Sequence, residues 1–426
     1  MTTLSTISVS VNRDRFDAFA GQLARTMEAD LVLSSKGYPA ETTSVIGVRP
    51  VAELVVTEET TTDRIKDFCF STPGLAMGFV SYTYGMKLRG ISSNKPLDFP
   101  LGHLKKYGAT VEYDKDNEQA ILSSEDQPLL DELSELLKTS PDELPETEVP
   151  GLPTSPPSTS LGRAEYEAGV RETLERILSG YTYQLNLSTK FTWDCPDLDP
   201  LALFLALRKS HPAPFYSWLN SGPNKVLSTS PERFLRVADG HVLSQPIKGT
   251  LRFDQYSPEL VSRLTDSPKE DAELSMIVDL IRNDISANCE YGSVRVENHK
   301  SVFAVDNLLQ MYGDVHGELR EDRDCLDLFF DAFPGGSITG CPKKSSMTII
   351  EELEPHSRGI YCGSVVVIRD EKNMDSSIAI RTAVYGTETK KLDYWAGSGI
   401  VVDSKPASEY QETLAKAEKF LTLGER

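Results

Sequence analysis

The chain has 426 residues, 39% of them hydrophobic, and a formal net charge of -20. That length supports one large domain or two ordinary ones with a sizeable core, and no stretch approaches the roughly 20 uncharged apolar residues of a membrane span. So acidic a surface repels nucleic acid and anionic lipid, which excludes both as expected partners, and any anion site must carry its own local cations.

The opening "MTTLSTISVSVNRDRFDAF" lacks the basic-then-apolar order of a secretory signal. Six cysteines (69, 195, 289, 325, 341, 362) are scattered without a C-x-x-C pair. This argues against a zinc cage or a disulfide framework and for a reducing, cytoplasmic setting. In chain order, "GLAMGFVSYTYG" (74–85) reads as strand then turn, and "ATVEYD" with "QAILSSED" as a hairpin. "QPLLDELSELLKT" (127–139) is amphipathic, with Leu129, Leu130, Leu133, Leu136 and Leu137 on one helical face. The Pro/Ser/Thr-rich 139–160 reads as a linker or long surface loop. It separates an N-terminal region, 1–138, from a larger one, 161–426. The latter opens with a helix ending at Gly180 and a strand-like "YTYQLNLSTKFTW". Further strands are expected at 225–229, 233–237, 241–247, 292–298, 362–368, 377–384 and 392–396, and helices at 200–209, 268–284, 324–331, 342–353 and 406–422. Strands and helices do not alternate regularly, so the expected class is α+β, a layered β-sandwich with surrounding helices, rather than a doubly wound sheet.

Two helix starts carry paired acids. "SPKEDAELSMIVDLIRND" places Ser267 as N-cap and Pro268 at the first turn, and Glu270 is at the spacing of a capping box. Glu273 follows one turn on, and "SEYQETLAKAEKF" repeats the spacing with Glu409 and Glu412. Each pair alone reads as surface charge near a favourable helix dipole; facing each other, the two would hold Mg²⁺ through oxygen ligands. "FPGGSITGCPKKSSMTIIEELE" is a Gly-rich loop entering a helix, a geometry that either packs tightly or presents amides to an anion. Cys341 follows Gly340 where a P-loop needs Lys-Ser/Thr, so it is not a nucleotide loop. Arg381 sits in the β-branched run "SSIAIRTAV" and needs an anionic partner or solvent. Gly397 and Gly399 form a second glycine turn. Lys248, in "SQPIKGTLRF", reads by itself as a surface lysine before a tight turn.

Together "SPERF", "PIKGT", "DAELSMIVDLIRND", "FPGGSITGCPK", "IIEELEPHSRGIYCGSV", "SSIAIRTAV" and "AGSGIVVDSKPASEYQET" resemble the chorismate-utilising enzymes, in that family's order from about 228 to 422. "YTYQLNLS" extends the likeness upstream. Lys248 in "PIKGT" is the mark of the aminodeoxychorismate synthase component I branch, where anthranilate synthases usually carry "PIAGT". The resemblance implies a Mg²⁺-dependent enzyme that converts chorismate and ammonia to 4-amino-4-deoxychorismate for 4-aminobenzoate and folate. Lys248 is implied as nucleophile and Glu232 as general acid. Glu273 and Glu412 are implied as principal Mg²⁺ ligands, with Glu270 and Glu409 as companions. Tyr361, Arg381, Gly397 and Gly399 match the carboxylate-binding set, and Gly249, Thr250 and Thr339 line the same pocket. Gln184 stands where water-using relatives carry a lysine base, which favours ammonia. Asp306 and Asn307 replace a histidine linked to pyruvate elimination, which weighs against anthranilate synthase component I. A chorismate-binding subunit without turnover is the third reading, and the retained Lys248, Glu232 and four helix glutamates weigh against it. "LVLSSKG" (31–37) only partly matches the tryptophan-binding motif of some relatives. No glutaminase signature is present, which implies a separate glutamine amidotransferase subunit as ammonia donor.

Overall fold

The computed structural model describes the chain except residues 1–3, 36–37, 41, 43, 98, 144–147, 211–212, 254, 306–307 and 424–426; at 250, 252, 269 and 305 it describes the backbone alone. Lys36, Gly37, Asp306 and Asn307, singled out above, lie outside the described residues. Every strand pairing among the described residues is antiparallel.

The long strand Gly102–Asp114 joins two runs of strands. One edge pairs with Ser44–Val56; the other pairs first with Ala76–Val80 and then with Gln119–Ser124. From Ser44–Val56 the pairing runs through Asp30–Leu33, Phe215–Ser221, Asn224–Ser230, Thr382–Gly386 and Lys391–Ile400 to Gln184–Asp194. From Ala76–Val80 it runs through Ser364–Asp370, Asn373–Ile378, Arg233–Ala238 and His241–Ser244 to Leu308–Glu318, which also pairs with Ile247–Arg252 and Arg295–Val305.

Side-chain alternation makes these runs two layers. Val226 joins Leu219 and Trp395 in a cluster shared with Phe79, Leu235 and Val366 of the second run. The next residue, Leu227, points the other way and packs with Leu31 and Ile46 under a helical cover. Phe16 and Phe19 of Arg13–Thr26, Leu129 and Leu133 of Gln127–Thr139, Phe204 of Pro200–Ser210 and Phe420 of Pro406–Leu421 supply that cover. Each such side chain contributes about 1.5–3 kcal/mol relative to leaving it exposed. A smaller cluster sets Tyr166 and Val170 of Arg163–Leu178 against Leu185, Leu187, Ile349 and Ile350. The class is the α+β layered sandwich expected.

Four expected elements differ in detail. The turn after Ala76–Val80 is a helix, Tyr82–Leu88, because Ser81 caps it by accepting from the Tyr84 amide. The expected strand 241–247 is two, His241–Ser244 and Ile247–Arg252. The expected 377–384 also breaks, into Asn373–Ile378 and Thr382–Gly386, because Arg381 takes a φ of +51° between them. Arg295–Val305 starts later than expected and runs further, paired along Leu308–Glu318, which the sequence reading did not assign. All six cysteines are free thiols. No helix among the described residues is long and apolar enough to cross a membrane.

Candidate active site

The tight turn after Lys248 is a β-bulge. Lys248 stands opposite Met311 and Thr250 opposite Gln310, so Gly249 is the extra residue. Its φ of +70° is a left-handed angle that glycine adopts without a Cβ penalty. A bulge interrupts the pleat and re-aims the neighbouring side chain, which explains a cationic amine at this place. A Cβ on Gly249 would stand 3.0 Å from Glu270 Oε2, so the first acid of Pro268–Ser286 lies against the same turn. Ser267 does cap that helix, accepting from the Glu270 amide at 3.4 Å. Its own amide donates to Leu264 O, so the reciprocal half of the capping box is not needed, and the Glu270 carboxylate turns toward Gly249.

Glu232 lies just before Arg233–Ala238 and is buried, with 6% of its surface exposed. Ser337 Oγ donates to its Oε1 at 3.0 Å. Burial pushes its carboxyl up to about 7, against the opposing pull of Lys248, the Ser337 bond, Arg381 and Lys416. Three cations therefore surround one buried carboxyl, in a chain whose net charge is -20. That arrangement suits an anionic substrate and a carboxyl that holds its proton near neutrality.

The Gly-rich turn closes one side. Gly340 has a φ of +135°, and a Cβ there would stand 2.2 Å from the carbonyl oxygen of Gln184. Gly340 and Cys341 pair with Leu185 and Gln184, so the turn is laid directly on the strand Gln184–Asp194. The Gln184 side chain is buried there. Thr339 is fully buried and spends its hydroxyl on Gly335 O, at 2.9 Å. Ser337, two residues earlier, makes the reach to Glu232 instead.

Tyr361 is buried, its ring parallel to Trp395 at 6.5 Å and 5.6 Å from the Arg358 guanidinium. Its hydroxyl accepts from Asn186 Nδ2 at 3.3 Å. Arg358 is pinned by Glu354 at 2.7 Å and donates to Asn186 O at 2.6 Å and to Ile338 O at 3.2 Å. One buried cation thus ties the strand, the Gly-rich turn and the tyrosine together. Arg381 is half-buried, and its carbonyl accepts from the Thr229 amide and hydroxyl. A Cβ on Gly397 would stand 2.3 Å from Leu187 O, whereas one on Gly399 would meet nothing within 4 Å. Gly397 is therefore a close-approach glycine, and Gly399 borders open space. Thr250 is located by its backbone pairing with Gln310.

The two glutamate pairs sit on helices with different neighbours. Pro268–Ser286 packs on Ile247–Arg252 and Leu308–Glu318, and Pro406–Leu421 on Lys391–Ile400 and Arg163–Leu178. Among the described residues no three His, Cys, Asp or Glu side chains converge at metal-ligand spacing. Glu409 is nonetheless buried with Oε2 lacking any hydrogen-bond partner, and Glu412 is paired with Lys416 at 2.8 Å. A buried, unpartnered carboxylate oxygen is an unmet demand for a cation, and an all-carboxylate donor set matches a hard one such as Mg²⁺. Glu409 fits that ion as one ligand, while the four glutamates do not converge on a common point among the described residues.

Three residues of this neighbourhood escaped the sequence reading. Lys416 follows Glu412 by one helical turn and also donates to Gly397 O at 3.1 Å. Ser337 holds Glu232, and Asn186 holds Tyr361. Helical i,i+4 spacing pointed to the first, and strand alternation from Gln184 to the last.

The family profile for chorismate binding enzymes matches residues 28–422. The chain belongs to this family. It is 40% identical over 266 residues to anthranilate synthase component 1 of Aquifex aeolicus, covering 62% of this chain and 53% of that protein. It is also 40% identical over 271 residues to aminodeoxychorismate synthase component 1 of Klebsiella aerogenes, covering 63% and 59%. The chain thus spans between about half and three-fifths of the length of these two relatives. The crystal structure of anthranilate synthase component I from Streptococcus pneumoniae superposes with a TM-score of 0.77 at 25% identity, over 91% of this chain and 94% of that one. The chorismate-binding family is thus established, and two branches of it match equally well.

Proposed function

We propose that the chain is an aminodeoxychorismate synthase component I. It would convert chorismate and ammonia, supplied by a glutamine amidotransferase partner, to 4-amino-4-deoxychorismate for 4-aminobenzoate and folate synthesis. The observation that carries this reading is Lys248 raised at a glycine bulge beside the buried Glu232.

Chorismate is a dicarboxylate. On this reading, Arg381, Tyr361, Lys416 and the open side of Gly399 would receive its anionic groups. The nitrogen lone pair of Lys248 Nζ attacks ring C2, the double bonds shift, and the C4–O bond breaks. Glu232 protonates the departing hydroxyl, which leaves as water. Ammonia then attacks C4, the double bonds shift back, and the C2–N bond to Lys248 breaks. The proton released from the new C4 ammonium returns to Glu232. The sum is chorismate plus ammonia to aminodeoxychorismate plus water. Bound Mg²⁺, held by Glu273 and Glu412 with Glu270 and Glu409, would neutralise substrate carboxylate charge. Gln184 cannot deprotonate water, which favours ammonia as the nucleophile.

The 40% identity to an anthranilate synthase favours a second reading, in which the same chorismate site releases pyruvate and yields anthranilate. A product assay separates them. The chain is incubated with chorismate, Mg²⁺ and ammonium near pH 8.5, and pyruvate and aminodeoxychorismate are followed by mass. Aminodeoxychorismate without pyruvate is the expected result; pyruvate with anthranilate overturns the proposal.

A further inference from the structure

Asn186 lies two residues beyond Gln184 on the same strand, so the two amides share one face, while Leu185 and Leu187 turn away into an apolar cluster. Its neighbours in the strand are buried; Asn186 is half-exposed. Directly opposite is Gly399, where a Cβ would meet nothing within 4 Å, so the side chain borders open space. The backbone of Asn186 is fixed by the Arg358 bond to its carbonyl, and its Nδ2 is committed to Tyr361 Oη. No protein donor reaches its Oδ1 among the described residues. The result is a rigid amide with one carbonyl oxygen presented to the open space beside Gly399.

We propose that Asn186 selects the nucleophile: its Oδ1, with the amide of Gln184 beside it, accepts N–H hydrogen bonds from ammonia and turns the nitrogen lone pair toward the ring. This rests on the reading that the chain uses ammonia. The chemistry favours a pair of amides over other acceptors. A carboxylate would hold ammonium, which has no lone pair to attack with. A lysine or histidine base would activate water. An amide oxygen accepts a hydrogen bond, stays neutral, and takes no proton from either nucleophile. The covalent steps are unchanged: the C4–N bond still forms as the bond to Lys248 breaks, and the proton still goes to Glu232.

The same contact with Tyr361 offers a competing role, in which Asn186 only orients the tyrosine for a substrate carboxylate. The two roles separate in steady-state kinetics. The full chain and its Asn186→Ala variant are assayed for aminated product with ammonium as nitrogen source, varying ammonium and chorismate in turn. Loss of one neutral hydrogen bond raises the KM for ammonia by about 3- to 10-fold. The KM for chorismate stays within about twofold, because Arg381 and Lys416 still hold the anion. Asn186→Asp, which keeps an acceptor but adds charge, holds ammonium, which has no lone pair, so its KM for total ammonium and its kcat should both fall. A rise in the chorismate KM alone assigns Asn186 to Tyr361 and overturns the proposal, as does an unchanged ammonia KM. A wild-type chain that forms no aminated product overturns the ammonia reading itself, and this inference with it.

Discussion

Glu232→Gln removes a charge site while keeping its shape, and its effect on stability has a sign fixed by burial. The carboxyl rises from 4.5 in its ordinary state to about 7 in the fold. The folded chain therefore holds this proton more tightly than the unfolded one. Stability from this group is intact below about 4.5 and is lost as pH rises through about 7, since the folded state must then ionise a carboxyl that burial disfavours. A shift of about 2.5 units corresponds to about 3 kcal/mol. Glutamine does not titrate and escapes that cost. Urea unfolding at about pH 5, 6.5 and 8 should thus show a gap between variant and wild type that is small at the acid end. By pH 8 it should reach about 3 kcal/mol in favour of the variant. The variant should also lose about 10²–10⁴-fold in turnover, the contribution of a positioned general acid. A stability gap that does not change with pH, or one that favours wild type at pH 8, would refute the reasoning. It would mean that Lys248, Arg381 and Lys416 keep Glu232 ionised.

Lys248→Ala should abolish amination yet leave chorismate binding within a fewfold of wild type by calorimetry; near-normal turnover removes the nucleophile role. Ser337→Ala deletes a donor to the Glu232 carboxylate, so the carboxyl should titrate up to about one unit higher and the basic limb of the kcat profile should move with it; an unmoved limb removes Ser337 from the proton path. Glu412→Gln should abolish Mg²⁺-dependent activity, and a variant that turns over at wild-type rate without added Mg²⁺ removes the metal assignment. Gly340→Ala places a Cβ 2.2 Å from Gln184 O at a φ of +135°, and backbone strain alone should cost about 1–3 kcal/mol of unfolding free energy; an unchanged urea midpoint would show that the turn is not seated on the strand.

Local chemistry made several elements legible. Ser267 and Pro268 announce the helix Pro268–Ser286, and the leucine spacing of 127–139 gives Gln127–Thr139 to the residue. Sequence alone hid whatever depends on a partner strand. Nothing within "SQPIKGTLRF" says that Lys248 and Thr250 face consecutive residues of Leu308–Glu318, yet that register makes Gly249 a bulge. Arg381 looked like the middle of one strand because its neighbours are β-branched. Its left-handed φ, and the Thr229 bonds that hold its carbonyl, come from a segment about 150 residues away in sequence.

The same distinction explains why the branch of the family is harder to read than the family. The blocks that mark the family build the shared frame: the Gly-rich turn on Gln184–Asp194, the Arg358–Glu354 pair, and the helix acids. On the proposed reading, branch chemistry rests on a few side chains that this frame presents, above all Lys248 at its bulge and the amides of Gln184 and Asn186. On the proposed reading, lysine attack needs the amine to reach one ring carbon while Glu232 reaches the hydroxyl on another, and Lys248 at its bulge and Glu232 just before Arg233–Ala238 would approach from separate segments. An alanine at 248 would leave the frame, the acid and the cations Arg381 and Lys416 in place and remove the proposed nucleophile. On that reading, substitution there would be the smallest change that turns one chorismate site from amination through an enzyme-bound intermediate to direct attack.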